Sequence, residues 1–257
     1  MSPITNSTER FSSRVDNYVR YRPSYPPGAI ELLRQHCGLT RGAVVADIGS
    51  GTGILTQLLL PHAARVVAVE PNEPMRAAAE SALRADPRFV SVHGGAEATT
   101  LQSESVDLVV AGQAFHWFKV GPARVEALRI ARPGAHGALL WNEHRTNGSP
   151  FLADYERLLR HHAPEYDAVL GSRVDESAMR EFLGGSMERA SFLNQRSFSF
   201  EGLRGLLMSA SYAPEAGHPE HEPLLAGLAK VFAAHQEDGR VLFPYVTLVY
   251  FAPLKAG

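Results

Sequence analysis

Apolar residues follow two rhythms along this chain. Between Gly42 and Asn142, short apolar runs alternate with stretches whose apolar positions recur at helical spacing. The runs Val44–Ile48, Arg65–Glu70, Phe89–Val92, Val106–Ala111 and Gly137–Asn142 predict five strands. A short helix over Ile54–Leu60 is expected to end at Pro61. Met75, Ala78, Ala79 and Leu83 mark the apolar face of a second helix, closed before Pro87. Pro122 is placed to start a third, carrying Val125 and Leu128 and stopping at Arg132-Pro133-Gly134. Strands that are apolar on both faces belong to a parallel sheet covered by helices on both sides. Alternating strand and helix then predicts a doubly wound, Rossmann-like α/β fold.

Beyond residue 145 the rhythm changes. Phe151–Leu159 and Glu176–Leu183 read as amphipathic helices. Val241–Phe251 ("VLFPYVTLVYF") is a long β-rich run, and Pro244 within it predicts a bulge or an exposed strand position. Met187–Phe200 is its candidate antiparallel partner. The expectation is one domain: a mostly parallel seven-stranded sheet with an antiparallel C-terminal hairpin and a helical lid. Its parts are a lead-in and helix over 1–42, a binding core over 43–142, a lid with the sixth strand over 143–240, and a final strand over 241–252.

Composition narrows the class of function. The 257 residues are 45% hydrophobic and 20% charged, with a net charge of −2, so no basic footprint for nucleic acid or an anionic membrane is present. No apolar run approaches the roughly 20 residues that span a bilayer. The opening MSPITNSTERFSSR is polar, without the apolar core of a signal peptide. One cysteine, Cys37, allows no intrachain disulfide. A soluble cytoplasmic protein, monomeric or homodimeric, is expected. His161-His162 and the pair His218, His221 lack a convincing set of further ligands, so no metal is expected.

The chemistry concentrates in "VADIGSGTG", Val45–Gly53. A phosphate-binding P-loop needs a Lys after its glycines, and none follows here. A dinucleotide fingerprint, G-x-G-x-x-G, fits Gly49 and Gly51 but meets Ile54 in its third slot, while Gly53 comes one residue early. Asp47 would repel a pyrophosphate and favour a ligand bearing an ammonium group. Glu70, at the end of the second strand, suits the hydroxyls of a ribose, whether of NAD or of another nucleoside. Together these features favour a nucleoside carrying an amino acid, with a NAD-type oxidoreductase as the alternative.

These segments resemble a class I S-adenosylmethionine (SAM)-dependent methyltransferase, and most of all the type 11 methyltransferase domain group, which includes trans-aconitate and ubiquinone/menaquinone methyltransferases. "VADIGSGTG" resembles the family's first motif and "VVAVEPNEPM" its second. "GGAEATTLQSESVDLVVAGQAFHWF", "ARPGAHGALLWN" and the lead-in "YVRYRPSYP" resemble later and earlier family segments. The resemblance implies that Gly49, Gly51 and Gly53 admit the methionine part, with Thr52 in the same turn and Asp47 orienting the ammonium. It implies Glu70 on the ribose, Pro71 and Met75 flanking the adenine, and an Ala96 backbone N–H to the ring. The acid that many relatives carry at the place of Gly95 is missing, and Glu97 is the substitute. Gln113 is placed with the cofactor residues, and Arg22 is expected to reach the SAM carboxylate.

Methyl transfer from a sulfonium needs positioning and exclusion of water more than acid–base help. Where a proton must leave, His116, in "QAFHWF" after the fourth strand, is the candidate base, followed by Glu143 and His144. Phe115 and Trp117 are expected to line the acceptor pocket, and Tyr18 and Tyr21 to close over it. The motif [DN]-P-P-[YF] of exocyclic-amine methylation is absent after the fourth strand. The expected activity is therefore transfer of a methyl group to a small molecule (the EC 2.1.1 class). A SAM-binding protein without transfer activity is a further alternative.

Overall fold

The structure is a computed structural model, and it describes residues 14–144, 149–171 and 175–255. The expected lead-in over 1–13 and the first lid residues, 145–148, lie outside the described residues. The elements run α1 (Val15–Tyr21), α2 (Pro27–His36), β1 (Val44–Ile48), α3 (Ile54–Leu59), β2 (Arg65–Val69), α4 (Glu73–Leu83), β3 (Phe89–Val92) and β4 (Val106–Gly112). They continue α5 (Val120–Ile130), β5 (Ala131–His144), α6 (Pro150–His162), α7 (Tyr166–Gly171), α8 (Glu176–Leu183), β6 (Glu188–Phe198), α9 (Phe200–Met208), α10 (His221–His235) and β7 (Val241–Pro253).

One seven-stranded sheet has the order β3-β2-β1-β4-β5-β7-β6. The first five strands are parallel, and β7 enters antiparallel between β5 and β6. The predicted doubly wound sheet with an antiparallel hairpin is therefore the fold observed. Chain order reverses between β1 and β4, the switch point beyond which ligands sit in open α/β sheets. On one face α2 and α3 bury Ala29, Ile30, Leu33, Leu55 and Leu59 against β1 and β4. On the other, α5 and α8 bury Ala127, Ile130, Met179 and Phe182. A third apolar cluster joins α6, α9 and α10 to the far end of β7, through Leu152, Leu207, Leu228 and Phe243. These helices fall in the segment expected to form the lid.

Three boundaries differ from expectation for physical reasons. Strand β5 starts at Ala131, so Arg132-Pro133-Gly134 lies within it and not in a helix-stopping turn. A register shift in the pairing with β4, between Val106 and Leu108, absorbs the proline and glycine. Pro61 does not end the helical path either, because Leu60–His62 adds a 3-10 turn with the proline near its start, where its missing N–H costs nothing. Pro244 causes no bulge: β6 and β7 pair in continuous register through Gln195↔Pro244.

A buried polar network fixes the lead-in to the sheet. Asn142 on β5 accepts hydrogen bonds from Thr247 Oγ1 and from Asn194 Nδ2. Its own Nδ2 donates to the carbonyls of Pro23 and Ser24, and Asn194 Nδ2 also donates to Ser24 at 2.7 Å. Removing one member strands buried partners, at a cost of about 1–3 kcal/mol. Asn142→Ala is thus expected to lower unfolding stability by about 2 kcal/mol in urea titrations. A loss below about 0.5 kcal/mol would deny the network that role.

Candidate active site

The glycine turn follows β1 at the switch point. Gly49, Gly51 and Gly53 all have positive φ (69°, 56° and 84°), a region that costs side-chain-bearing residues free energy. The three serve different ends. A Cβ on Gly49 would lie 2.6 Å from the Ala114 Cβ, so this glycine lets the loop after β4 approach the turn. At Gly51 nothing lies within 4 Å, and its N–H donates to Glu70 Oε2 at 2.8 Å. At Gly53 a Cβ would meet Leu83 Cδ1 at 2.8 Å and Ala79 at 3.3 Å. Gly53 does not line either cavity described below. It packs α3 against α4, the work that the third glycine of a dinucleotide fingerprint does one residue later.

Two cavities meet at this turn. They share Tyr18, Gly49, Gly51, Gly112, Gln113 and Trp117. The first lobe is lined by Glu70, Pro71, Asn72, Met75, Ala96, Glu97 and Phe118. Glu70 is held rigidly: Oε1 accepts from the Asn72 N–H and Oε2 from the Gly51 N–H, both at 2.8 Å. Each oxygen keeps a second lone pair for an incoming hydroxyl. Burial raises this carboxyl, and the two backbone N–H donors oppose the rise. Glu97 lies in this lobe, but its Oε1 accepts the Lys119 N–H at 2.7 Å and so caps α5.

The second lobe begins at Asp47, Ser50, Thr52 and Arg22. Asp47 is fully buried, and its Oδ2 accepts the Thr56 hydroxyl at 2.6 Å. Its Oδ1 has no hydrogen-bond partner, and neither have the hydroxyls of Ser50 and Thr52. Burial pushes the Asp47 carboxyl up to about 7; the Thr56 hydrogen bond opposes this and the Glu70 charge adds to it. Arg22 donates to the Ser209 carbonyl at 3.0 Å and sits over the Tyr18 ring, while its buried Nε is unpartnered. A carboxylate oxygen, two hydroxyls and a guanidinium N–H, all buried and unsatisfied, suit a ligand end that carries both an ammonium and a carboxylate. The residues present therefore fit the amino-acid end of SAM, and the Glu70 lobe fits its nucleoside.

Gln113 follows β4 with φ at 59°, strained for a non-glycine residue. Its N–H donates to Leu140 and its Nε2 to the Asn142 carbonyl, so two bonds hold it between the lobes. His116 and Trp117 come from the 3-10 turn Phe115–Trp117 and line the second lobe, with ring centroids 4.7 Å apart.

Three expected acceptor residues lie elsewhere. Phe115 points into the core, edge-on to Trp141 and Phe182. Tyr21 lies against α9, its ring filling the space above Gly205 and its hydroxyl reaching Glu201. Glu143 is not on either cavity wall, because strand alternation turns it away from its neighbours Asn142 and His144, which are. Sequence reasoning missed Thr56, Tyr25, Tyr155, Tyr212, Phe243 and Tyr245. Phe243 and Tyr245 carried a usable signal, two aromatics at period two on one strand face. The others come together only through the tertiary fold.

The chain is similar to known methyltransferases in sequence and fold. Residues 46–139 match the Methyltransf_11 model, a methyltransferase domain. An uncharacterized methyltransferase of Mycobacterium tuberculosis is 42% identical over 134 residues, 51% of each chain. The chain thus matches about half the length of that relative. An uncharacterized methyltransferase of Schizosaccharomyces pombe is 28% identical over 93% of this chain and 95% of its own. A candidate type II methyltransferase of Anaeromyxobacter dehalogenans shares the fold with a TM-score of 0.67 at 22% identity, over 92% of this chain and 100% of that one. The [4+2]-cyclase SpnF has the same fold, with a TM-score of 0.55 at 16% identity, over 96% of this chain and 94% of that one.

Proposed function

We propose, from the premise that this chain carries a class I SAM-dependent methyltransferase domain, that it transfers a methyl group to a small-molecule acceptor. The observation that carries this reading is the pair of joined lobes, one ending on Glu70 and the other on the unpartnered Asp47 oxygen. Asp47 holds the ammonium, Arg22 the carboxylate and Glu70 the ribose hydroxyls, while Pro71, Met75 and the Ala96 N–H frame the adenine. SAM supplies a methyl group already activated by its sulfonium charge. Tyr18, Trp117 and Gln113, at the junction of the lobes, position the acceptor and keep water out. His116 takes the proton of an acceptor that must lose one.

The second lobe, bounded by lid residues such as Tyr155 and Leu206, favours a small molecule over a polymer. The net charge of −2 gives no support for a nucleic-acid acceptor. No helix of the described residues is long and apolar enough to cross a membrane. A cytoplasmic monomer or homodimer that holds no metal remains our reading. Binding without transfer is the second reading, since the cyclase shows that this fold alone does not fix the chemistry.

Calorimetry with SAM and NAD tests the premise. SAM should bind with micromolar affinity and NAD should not, because the buried Asp47 carboxyl would face the pyrophosphate. NAD binding without SAM binding would overturn the proposal. Once an acceptor is in hand, His116→Ala should reduce its turnover by about 100-fold or more at pH 7. Unchanged turnover would remove the base.

A further inference from the structure

Past Asn142 the second lobe changes character. Tyr155 from α6, Leu206 from α9, Tyr212 from the loop beyond it, His144 from β5, and Phe243 and Tyr245 from β7 converge there. Phe243 and Tyr245 stack at 4.7 Å with 19° between their planes, and Tyr155 meets Phe243 edge-on at 5.6 Å. His144 packs edge-on to Phe243 at 5.5 Å. Among the described lining residues, the only Asp, Glu, Lys or Arg side chains are Asp47 and Arg22, both at the cofactor end. Arg22 is further committed to the Ser209 carbonyl.

Such a chamber is costly for an anion. A carboxylate moved from water into an apolar site without a counter-charge loses several kcal/mol of solvation. A tricarboxylate would lose this repeatedly, with one guanidinium to share between acceptor and cofactor. Burial holds the Tyr155 hydroxyl well above its ordinary range, so it stays a neutral donor and acceptor at physiological pH. Flat aromatic ligands, in contrast, find edges and faces at the separations that aromatic pairs prefer. Asn142 and the tyrosines offer hydrogen bonds without charge.

Resting on the proposed methyl transfer, we infer that the acceptor is an uncharged, planar aromatic compound bearing a hydroxyl group, bound in the chamber that Tyr155, Phe243 and Tyr245 line. The hydroxyl oxygen forms the new bond to the methyl carbon as the carbon–sulfur bond breaks, and sulfur keeps that electron pair. The hydroxyl proton passes to an imidazole, His116 being the one beside the junction of the two lobes. The product is an aryl methyl ether and S-adenosylhomocysteine.

Calorimetry on the protein saturated with S-adenosylhomocysteine tests the class without relying on turnover. The probes are 2-naphthol and trans-aconitate. Naphthol should bind at least about tenfold more tightly than the tricarboxylate. Phe243→Leu, which keeps an apolar side chain but removes the ring, should weaken naphthol by roughly fivefold and leave the homocysteine affinity unchanged. Both rings are buried, so each variant should melt lower than wild type; a cooperative transition above the assay temperature confirms that it is folded, and Tyr155→Leu gives the same reading from another wall. With labelled SAM, the label should appear on the naphthol oxygen. Tricarboxylate binding as tight as naphthol, or naphthol binding indifferent to both variants, overturns the inference and leaves the methyltransferase reading standing. Failure to bind S-adenosylhomocysteine at all would sink both.

Discussion

Asp47→Asn should make the ligand-free protein more stable and abolish its hold on SAM. Both effects follow from one buried carboxyl. Burial pushes Asp47 up to about 7, whereas an Asp in an unfolded chain titrates near 3.9. Its folded value is raised, so its stabilising contribution is present below the unfolded value and lost as pH rises through about 7. A gap of about three pKa units corresponds to roughly 4 kcal/mol of strain at pH 8. Asn cannot ionise, and its amide still accepts the Thr56 hydroxyl. The ligand-free variant should therefore melt several degrees higher than wild type at pH 8, at about 2–4 °C per kcal/mol, with the difference closing near pH 4. SAM affinity should fall about 100-fold or more, since the ammonium loses its charged partner. In the wild type, the same group should weaken SAM binding up to about tenfold per pH unit below 7. Scanning calorimetry and isothermal titration across pH 5–8 read both effects. A variant that binds SAM within threefold of wild type, or a stability difference that ignores pH, would refute the assignment. Instability held in place by ligand need is a familiar pattern at functional sites.

The core of the fold was legible because its signals are local. Each parallel strand is buried on both faces, so its run of apolar residues needs no partner to be recognised. Asp47, the glycine turn and Glu70 lie within about one βαβ unit, and their spacing alone separates an ammonium-bearing nucleoside from a pyrophosphate. Errors arose where side-chain direction mattered. Phe115, His116 and Trp117 are consecutive, yet the 3-10 turn sends Phe115 into the core and the other two to the cavity. Tyr18 and Tyr21 lie one helical turn apart, but only Tyr18 reaches the junction of the lobes, while Tyr21 fills the gap over Gly205. The acceptor chamber was least legible, because α6, α9 and β7 contribute one or two residues each across almost a hundred positions. No local periodicity reports such a convergence. The polar network around Asn142 is of the same kind, joining residues 24, 142, 194 and 247.

Replacing the three glycines of the turn by alanine, one at a time, should give three different phenotypes. All three have positive φ, which costs a non-glycine residue about 1–2 kcal/mol. At Gly51 that is the whole cost, since no atom lies within 4 Å of the new Cβ. Gly51→Ala should therefore lose about 1 kcal/mol of stability and weaken SAM only modestly, because its N–H to Glu70 survives. At Gly49 the new methyl stands 2.6 Å from the Ala114 Cβ, so the loop carrying Gln113 and His116 must move. Overpacking adds about 1–3 kcal/mol, and the displaced loop separates the two lobes. Gly49→Ala should thus be the most damaging of the three to SAM affinity, by about 100-fold. At Gly53 the contacts are Leu83 and Ala79 of α4, away from either cavity. Gly53→Ala should lose about 2–4 kcal/mol of stability, yet retain SAM affinity within several-fold under conditions where it is folded. A paired substitution supplies the control. Leu83→Ala clears the nearest atom from Gly53, so the double variant should lose less stability than the two single losses summed, whereas the same partner should give no relief to Gly49→Ala. Gly53→Ala losing SAM as severely as Gly49→Ala would show that the third glycine faces the ligand, as its place in the sequence suggested. Strict additivity with Leu83→Ala would show that α4 does not press on it.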